Sequence, residues 1–150
     1  IDITRANLGN ALESAIVTGL VASDPGRYMR PGELEHEGWY GTPDLWDLGP
    51  SHKKNHLGWR TVEIKLTWYS LNRLYNEGIE GEWAWKYWVQ LQAYCYMAGQ
   101  TKGTLFICFV NGNYKYDKND PESGPTILGW DAEWDLEELA QNWEMLKARC

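Results

Sequence analysis

Hydrophobic residues recur at helical spacing near both ends of the chain. In residues 4–20 they follow an i, i+3, i+4, i+7 pattern, which predicts an amphipathic helix. Residues 135–149 carry a second stripe of this kind, formed by Leu136, Leu139, Trp143 and Leu146. Asp135 stands where a helix N-cap is expected and Glu138 three residues later, so a capping box is predicted at the start of this last helix.

Four segments have the patterns of β-strands. Residues 59–66 alternate strictly, which places Glu63 and Lys65 on the same face. Residues 103–110 are continuously apolar, as is typical of a central strand covered on both faces, and residues 126–134 predict a last strand. Residues 33–48 alternate loosely and are interrupted at Gly41-Thr42-Pro43, which predicts two short strands.

A long aromatic and apolar segment, residues 83–98, predicts a helix that is buried on several sides, with Gly99 as the residue that ends it. The segments 23–32 and 67–82 are irregular and rich in turn formers, so loops are expected there.

Asn111-Gly112 is a strong hairpin turn signal, with residues 114–116 as the returning strand. The resulting order is helix, three strands, helix, two or three strands, helix. It predicts one mixed α/β domain over residues 1–150.

Composition narrows the class of protein. The formal net charge is −7, which disfavours a module that holds DNA by electrostatics alone but counts less against a nuclease whose carboxylates are masked by divalent cations. Ten Trp and nine Tyr suit a binding surface without choosing its ligand. Three scattered Cys argue against a disulfide scaffold, cannot supply a four-cysteine cluster, and favour a reducing cytoplasm. No membrane span is expected, and Ile1 at the start suits a domain of a longer protein.

Three charged residues offer the chemistry of a metal-dependent hydrolase. Asp44 follows Pro43, and Glu63 and Lys65 share one face of the alternating strand. If the two strands are neighbours, the carboxylates of Asp44 and Glu63 converge. Carboxylates and a backbone carbonyl are the hard oxygen ligands that Mg²⁺ or Mn²⁺ prefers, and a nearby lysine can hold a scissile phosphate or help to deprotonate a water.

Pro43-Asp44 followed by Glu63-Ile64-Lys65 resembles the PD-(D/E)xK nuclease superfamily, whose core runs α-β-β-β-α-β. A second match lies on the next predicted helix, where Gln90 and Tyr94 have the spacing of the Q-x-x-x-Y motif of the RecB-like branch. The resemblance implies a restriction-endonuclease-like α/β core with a mixed central sheet flanked by helices. Because the four cluster cysteines are missing, it is closer to small phage-type or recombination exonucleases.

The resemblance also implies roles for individual residues. Glu13, Asp44 and Glu63 would ligate Mg²⁺ or Mn²⁺ together with the Ile64 carbonyl, and Lys65 would be the catalytic lysine alongside Asp44 and Glu63. Gln90 and Tyr94 would position the DNA backbone or the lysine. The implied activity is phosphodiester hydrolysis by a metal-activated water, with an exonuclease favoured. Its substrate would be single- or double-stranded DNA with a free end, in the cytoplasm of a bacterial, archaeal or phage-infected cell.

Several alternatives stay open at the level of the sequence. Glu33, Glu35 and Glu37 compete with Glu13 for the additional metal ligand, and Gln90 and Tyr94 have a purely structural interpretation. Other functions are a catalytically inactive nuclease-fold module that binds DNA or protein in a recombination or repair assembly, and a Trp-rich carbohydrate-binding domain. A homo-oligomer is also compatible with the sequence. His52 and His56 in a lysine-flanked loop indicate a solvated loop rather than a zinc site.

Overall fold

The structure is a computed structural model that describes residues 3–50, 59–112, 118–120 and 124–149. In these residues the chain forms four α-helices and seven strands. The helices are α1 (Ile3–Ser23), α2 (Leu71–Glu77), α3 (Trp85–Ala98) and α4 (Leu136–Arg149). The strands are β1 (Tyr28–Met29), β2 (Leu34–His36), β3 (Trp39–Gly41), β4 (Leu45–Asp47), β5 (Arg60–Thr67), β6 (Lys102–Phe109) and β7 (Thr126–Glu133).

Five of these strands form one mixed sheet in the order β1-β4-β5-β6-β7, and β2 pairs with β3 in a separate hairpin. β5 and β6 are parallel, whereas the other neighbours in the large sheet are antiparallel. A parallel pair needs a long crossover, and α2 and α3 supply it. The fold class is therefore α/β, with a mixed five-stranded sheet flanked by helices.

Each face of the sheet is covered by a different set of helices. Val17 of α1 packs with Leu45, Val62 and Ile64 on one face. On the other face, α3 packs against β5, β6 and α4 around a second cluster of buried residues. Since both faces are covered, β5 and β6 are buried along most of their length.

The strongest local patterns are confirmed. The first and last helices, the alternating strand and the continuous apolar strand all form where they are predicted, and Gly99 adopts the left-handed conformation with φ 69° that ends α3. The capping box is also present. The Glu138 backbone N–H donates to Asp135 Oδ1 at 2.7 Å, and the Asp135 backbone N–H donates to Glu138 Oε2 at 3.3 Å.

Four predictions about individual elements need correction. Residues 23–32 are not all loop, because Tyr28–Met29 pairs with β4. Residues 33–48 form three strands rather than two, since β2 and β3 pair with each other before β4 begins. Residues 67–82 contain α2, whose short span offers too few turns for a hydrophobic stripe. The long helix starts at Trp85, after a 3₁₀ turn over Glu82–Ala84. The predicted strand 114–116 lies outside the described residues.

In the described part of the chain, no helix is both long enough and apolar enough to cross a membrane.

Candidate active site

The strand register brings Asp44 and Glu63 together. Leu45 is opposite Val62 in the antiparallel pair β4–β5, so the residues next along, Asp44 and Glu63, face each other where β4 begins. The Asp44 backbone N–H donates to Glu63 Oε1 at 3.2 Å. In the opposite direction, the Ile64 backbone N–H donates to Asp44 Oδ2 at 2.8 Å. At the start of β4, the Asp44 carboxylate thus accepts from a β5 backbone N–H in the position where a carbonyl of a paired strand would otherwise accept.

Lys65 completes the cluster from the same face of β5 as Glu63. Its Nζ lies 3.3 Å from Glu63 Oε2, and the exposed fractions of the two side chains are 19% for lysine and 1% for glutamate. Burial acts to lower the pKa of Lys65, but the carboxylates of Glu63, Asp44 and Glu13 outweigh it, so the pKa is raised. Lys65 is therefore a firmly protonated ammonium inside a group of carboxylates.

Glu13 reaches this cluster from α1. Burial raises its pKa to about 8, assisted by a hydrogen bond to Asp44 and by the charge of Asp44, and opposed by Lys65. Glu63 behaves in the same way. Burial and then the charge of Asp44 raise its pKa to about 8, against the influence of Lys65. Three carboxylates thus share one ammonium group, and this excess of negative charge favours binding either protons or a cation.

Two of the competing acidic residues, Glu35 and Glu37, are engaged elsewhere, and Glu33 is exposed. Glu35 accepts a hydrogen bond from the Gly38 backbone within the β2–β3 hairpin, at 2.7 Å. Glu37 lies 2.8 Å from Lys147 Nζ of α4. Of Glu13, Glu33, Glu35 and Glu37, it is Glu13 that contacts Asp44 in the described part of the chain.

Gln90 and Tyr94 lie beside the cluster on α3. Gln90 Nε2 donates to the Tyr94 hydroxyl at 3.2 Å. Burial raises the pKa of Tyr94, the bond from Gln90 lowers it, and Glu63 raises it further. Tyr94 also fills the space over Gly41. A Cβ at that glycine would lie 2.5 Å from Tyr94 Cε1, so the absence of a side chain there lets the ring approach the loop that carries Asp44.

Sequence reasoning missed a cleft next to Asp44. It has a volume of about 330 Å³ and is lined by Asn10, Glu13, Ser14, Arg30, Thr42 and Asp44 among others. Arg30 belongs to the segment 23–32, for which the sequence predicts a loop, and no pattern distinguishes it from the other arginines. Arg27, three residues earlier, makes two bonds to the Asp47 carboxylate at 2.8 and 3.0 Å.

Two further sequence interpretations can be placed. His52, Lys53, Lys54 and His56 lie outside the described residues. The carbohydrate-binding alternative requires Glu63 to be far from Asp44 and the Trp side chains to form an exposed row. Glu63 instead contacts Asp44, and Trp83 and Trp143 are buried in the core.

The donor set suits a hard cation, although the ligands do not form a complete cage. Among the described residues, no three His, Cys, Asp or Glu side chains are arranged so that they could hold a metal ion, and this includes the set of Glu13, Asp44 and Glu63. Magnesium sites commonly use one or two carboxylates and complete the shell with waters and substrate phosphates. Asp44 and Glu63 supply that smaller set, and Glu13 is in contact with Asp44.

Comparisons with known proteins bear on the fold alone. No protein-family model matches the chain, and no curated protein matches it significantly. The structure is similar to one described as "Crystal structure of SSO0001", with a TM-score of 0.50 and 15% sequence identity. The similarity covers 93% of this chain and 58% of that one, so this chain corresponds to less than two thirds of that protein.

Proposed function

We propose that this protein is a Mg²⁺- or Mn²⁺-dependent DNA nuclease with a restriction-endonuclease-like core. The observation that carries the proposal is the meeting of Asp44, Glu63 and Lys65 at the β4–β5 pair. The Glu63 carboxylate accepts a hydrogen bond from the Asp44 backbone N–H and lies 3.3 Å from the Lys65 ammonium group. These residues follow one another along the chain in the order of the PD-(D/E)xK motif, and the pairing of β4 with β5 brings them close together. The element order of the sheet and its helices supports the same assignment.

Asp44 and Glu63 would hold the cation, with the Ile64 carbonyl as a further oxygen donor. The Glu13 carboxylate, in contact with Asp44, would add to the negative charge beside it. The raised pKa values of Glu13 and Glu63 support this. Burial is their main cause and the charge of Asp44 adds to it, and a bound cation would stabilise the ionised form of both carboxylates. Bound there, Mg²⁺ or Mn²⁺ would lower the pKa of a coordinated water and neutralise charge on the phosphate.

Lys65 and the Gln90–Tyr94 pair would bind and orient the substrate. Lys65, firmly protonated and partly exposed, would bind a non-bridging oxygen of the scissile phosphate and stabilise the charge that develops on it. Its contact with Glu63 Oε2 holds the ammonium group in one orientation. The Gln90–Tyr94 pair, packed against Gly41, would keep the loop bearing Asp44 in place or contact the DNA backbone.

The test is digestion of linear and circular DNA, single- and double-stranded, with Mg²⁺, Mn²⁺ or EDTA. Cleavage is expected with either ion and not with EDTA, and resistance of circular DNA would indicate an exonuclease. Asp44→Ala, Glu63→Ala and Lys65→Ala should each nearly abolish cleavage. Glu77→Ala is the matched control, since Glu77 forms an exposed pair with Arg73 on α2.

Two results would count against the proposal. Full cleavage by all three variants at matched purity would remove the assignment of the site. Failure of the wild type to cleave any DNA form with either ion would favour the catalytically inactive binding module instead.

A further inference from the structure

The cleft beside Asp44 has a charge asymmetry that suits a DNA strand. The carboxylates of Glu13 and Asp44 line one part of it, while its other polar side chains can donate hydrogen bonds: Asn10, Ser14, Arg30 and Thr42. At about 330 Å³ the cleft has the size of a small ligand site. The cleft thus places hydrogen-bond donors next to the candidate metal site. A cation held by the carboxylates would bind one phosphate of a DNA strand, and the donors would bind a neighbouring phosphate.

Arg30 is the cation of this cleft. Its Nη2 donates to Thr18 Oγ1 of α1 at 2.6 Å, which anchors the guanidinium group to the helix. Within the described residues Arg30 forms no ion pair with a carboxylate, in contrast to Arg27, which Asp47 neutralises. A guanidinium group has five N–H donors, so the bond to Thr18 leaves most of them available. The side chain is exposed and can therefore be reached by a ligand.

The spacing along α1 fits neighbouring phosphates. Thr18, which anchors Arg30, lies five residues after Glu13, which contacts Asp44. At about 1.5 Å per residue this is roughly 7.5 Å along the helix axis. Phosphates follow one another at roughly 3.4 Å of axial rise per strand in duplex DNA. The separation is close to two such steps, so a strand with one phosphate at the carboxylates would bring a phosphate about two steps away near Arg30.

We propose that Arg30 binds a DNA backbone phosphate that flanks the cleaved one, so that the substrate strand runs through the cleft along α1. This inference rests on the proposed function, because it takes DNA as the ligand of the neighbouring site. Asn10, Ser14 and Thr42 would give uncharged hydrogen bonds to the same segment of the strand. Arg30 is a positioning residue in this scheme, since it contacts the substrate away from the reacting phosphate.

The experiment measures binding of a fluorescein-labelled single-stranded oligonucleotide by anisotropy, in Ca²⁺ and over a range of salt concentrations. A gel of the recovered oligonucleotide checks that it is intact. Each phosphate contact contributes about 0.7 to the slope of log affinity against log salt for a single strand. Arg30→Gln should weaken binding and reduce this slope by about 0.7, whereas Arg30→Lys, which keeps the charge, should retain most of it.

Arg149→Gln is the matched control. It removes the same charge from α4, on the other side of the sheet, where the guanidinium lies 5.1 Å from the centre of the Trp85 ring. Its slope should equal that of the wild type. An unchanged slope in Arg30→Gln, an equal loss in Arg149→Gln, or no DNA binding by the wild type would each overturn the inference.

The same data separate the two proposals. A reduced slope in Arg30→Gln, in a protein that cleaves no DNA with Mg²⁺ or Mn²⁺, would support the phosphate subsite and refute the nuclease. Cleavage by the wild type together with an unchanged slope in Arg30→Gln would refute the subsite and leave the nuclease in place.

Discussion

The carboxylate cluster should make the fold less stable as the pH rises in the absence of divalent ions. Glu63 is 1% exposed and its pKa is raised from 4.5 to about 8. The folded state therefore keeps a proton that the unfolded chain loses above pH 4.5. The free energy of unfolding falls with pH between these two values, and above pH 8 the full penalty of an ionised buried carboxylate is present.

The size of the effect follows from the pKa difference. One pKa unit corresponds to about 1.4 kcal/mol, so Glu63 should cost about 2 to 3 kcal/mol between pH 6 and pH 8.5. Glu13 acts in the same direction because its pKa is raised as well. Lys65 does not oppose the trend. The stability from its raised pKa is fully present below its ordinary value of 10.5 and is lost only at higher pH.

The assay is urea unfolding in EDTA, followed by tryptophan fluorescence at several pH values from 6 to 8.5. Glu63→Gln should lose the part of the slope due to Glu63, even though Lys65 loses its partner and the variant is less stable overall. Glu77→Gln, which removes an exposed carboxylate, should keep the wild-type slope. The reasoning is refuted if wild type and Glu63→Gln show the same dependence of unfolding free energy on pH.

Divalent ions should restore the free energy of unfolding that is lost at high pH. At a concentration 100 times the dissociation constant, a bound ion stabilises by about 2.7 kcal/mol. Mg²⁺ or Mn²⁺ should therefore stabilise the wild type at pH 8.5, and less so at pH 6, where protons compete for the same carboxylates. An equal gain in Glu63→Gln would show that the ion binds at another place.

Three further predictions concern packing and hydrogen bonds. Gly41→Ala should lower the free energy of unfolding, measured in urea, by about 1 to 3 kcal/mol, because its Cβ would lie 2.5 Å from Tyr94 Cε1. Adding Tyr94→Ala should relieve this clash, so losses that simply add in the double variant would contradict the prediction. Tyr94→Phe removes the hydroxyl that accepts a hydrogen bond from Gln90, and it should lower the rate of DNA cleavage while circular dichroism shows an intact fold. An unchanged cleavage rate would show that this hydrogen bond has no role in activity. Asp135→Ala removes the carboxylate that accepts from the Glu138 backbone N–H and should lower the free energy of unfolding in urea by about 1 kcal/mol. A change near zero would show that the capping box is dispensable.

Much of the secondary structure was determined by local patterns in the sequence. The strict alternation around Glu63 and Lys65 predicts β5, and Asp135 with Glu138 predicts the start of α4. These signals work because neighbouring residues alone decide which face a side chain takes and which backbone N–H groups are capped. The same reasoning fails for α2 and for Tyr28–Met29, since elements this short depend on the surfaces they pack or pair with.

The meeting of the candidate site residues was decided by the tertiary structure. The sequence shows that Glu63 and Lys65 share a face, but Asp44 joins them only because β4 pairs antiparallel to β5 with Leu45 opposite Val62. Nor does any local pattern select Glu13 over the other early carboxylates. That selection follows from the packing of α1 across the sheet, which sets its face toward the start of β4. Contacts between distant segments depend on register and packing, which no single stretch of sequence contains.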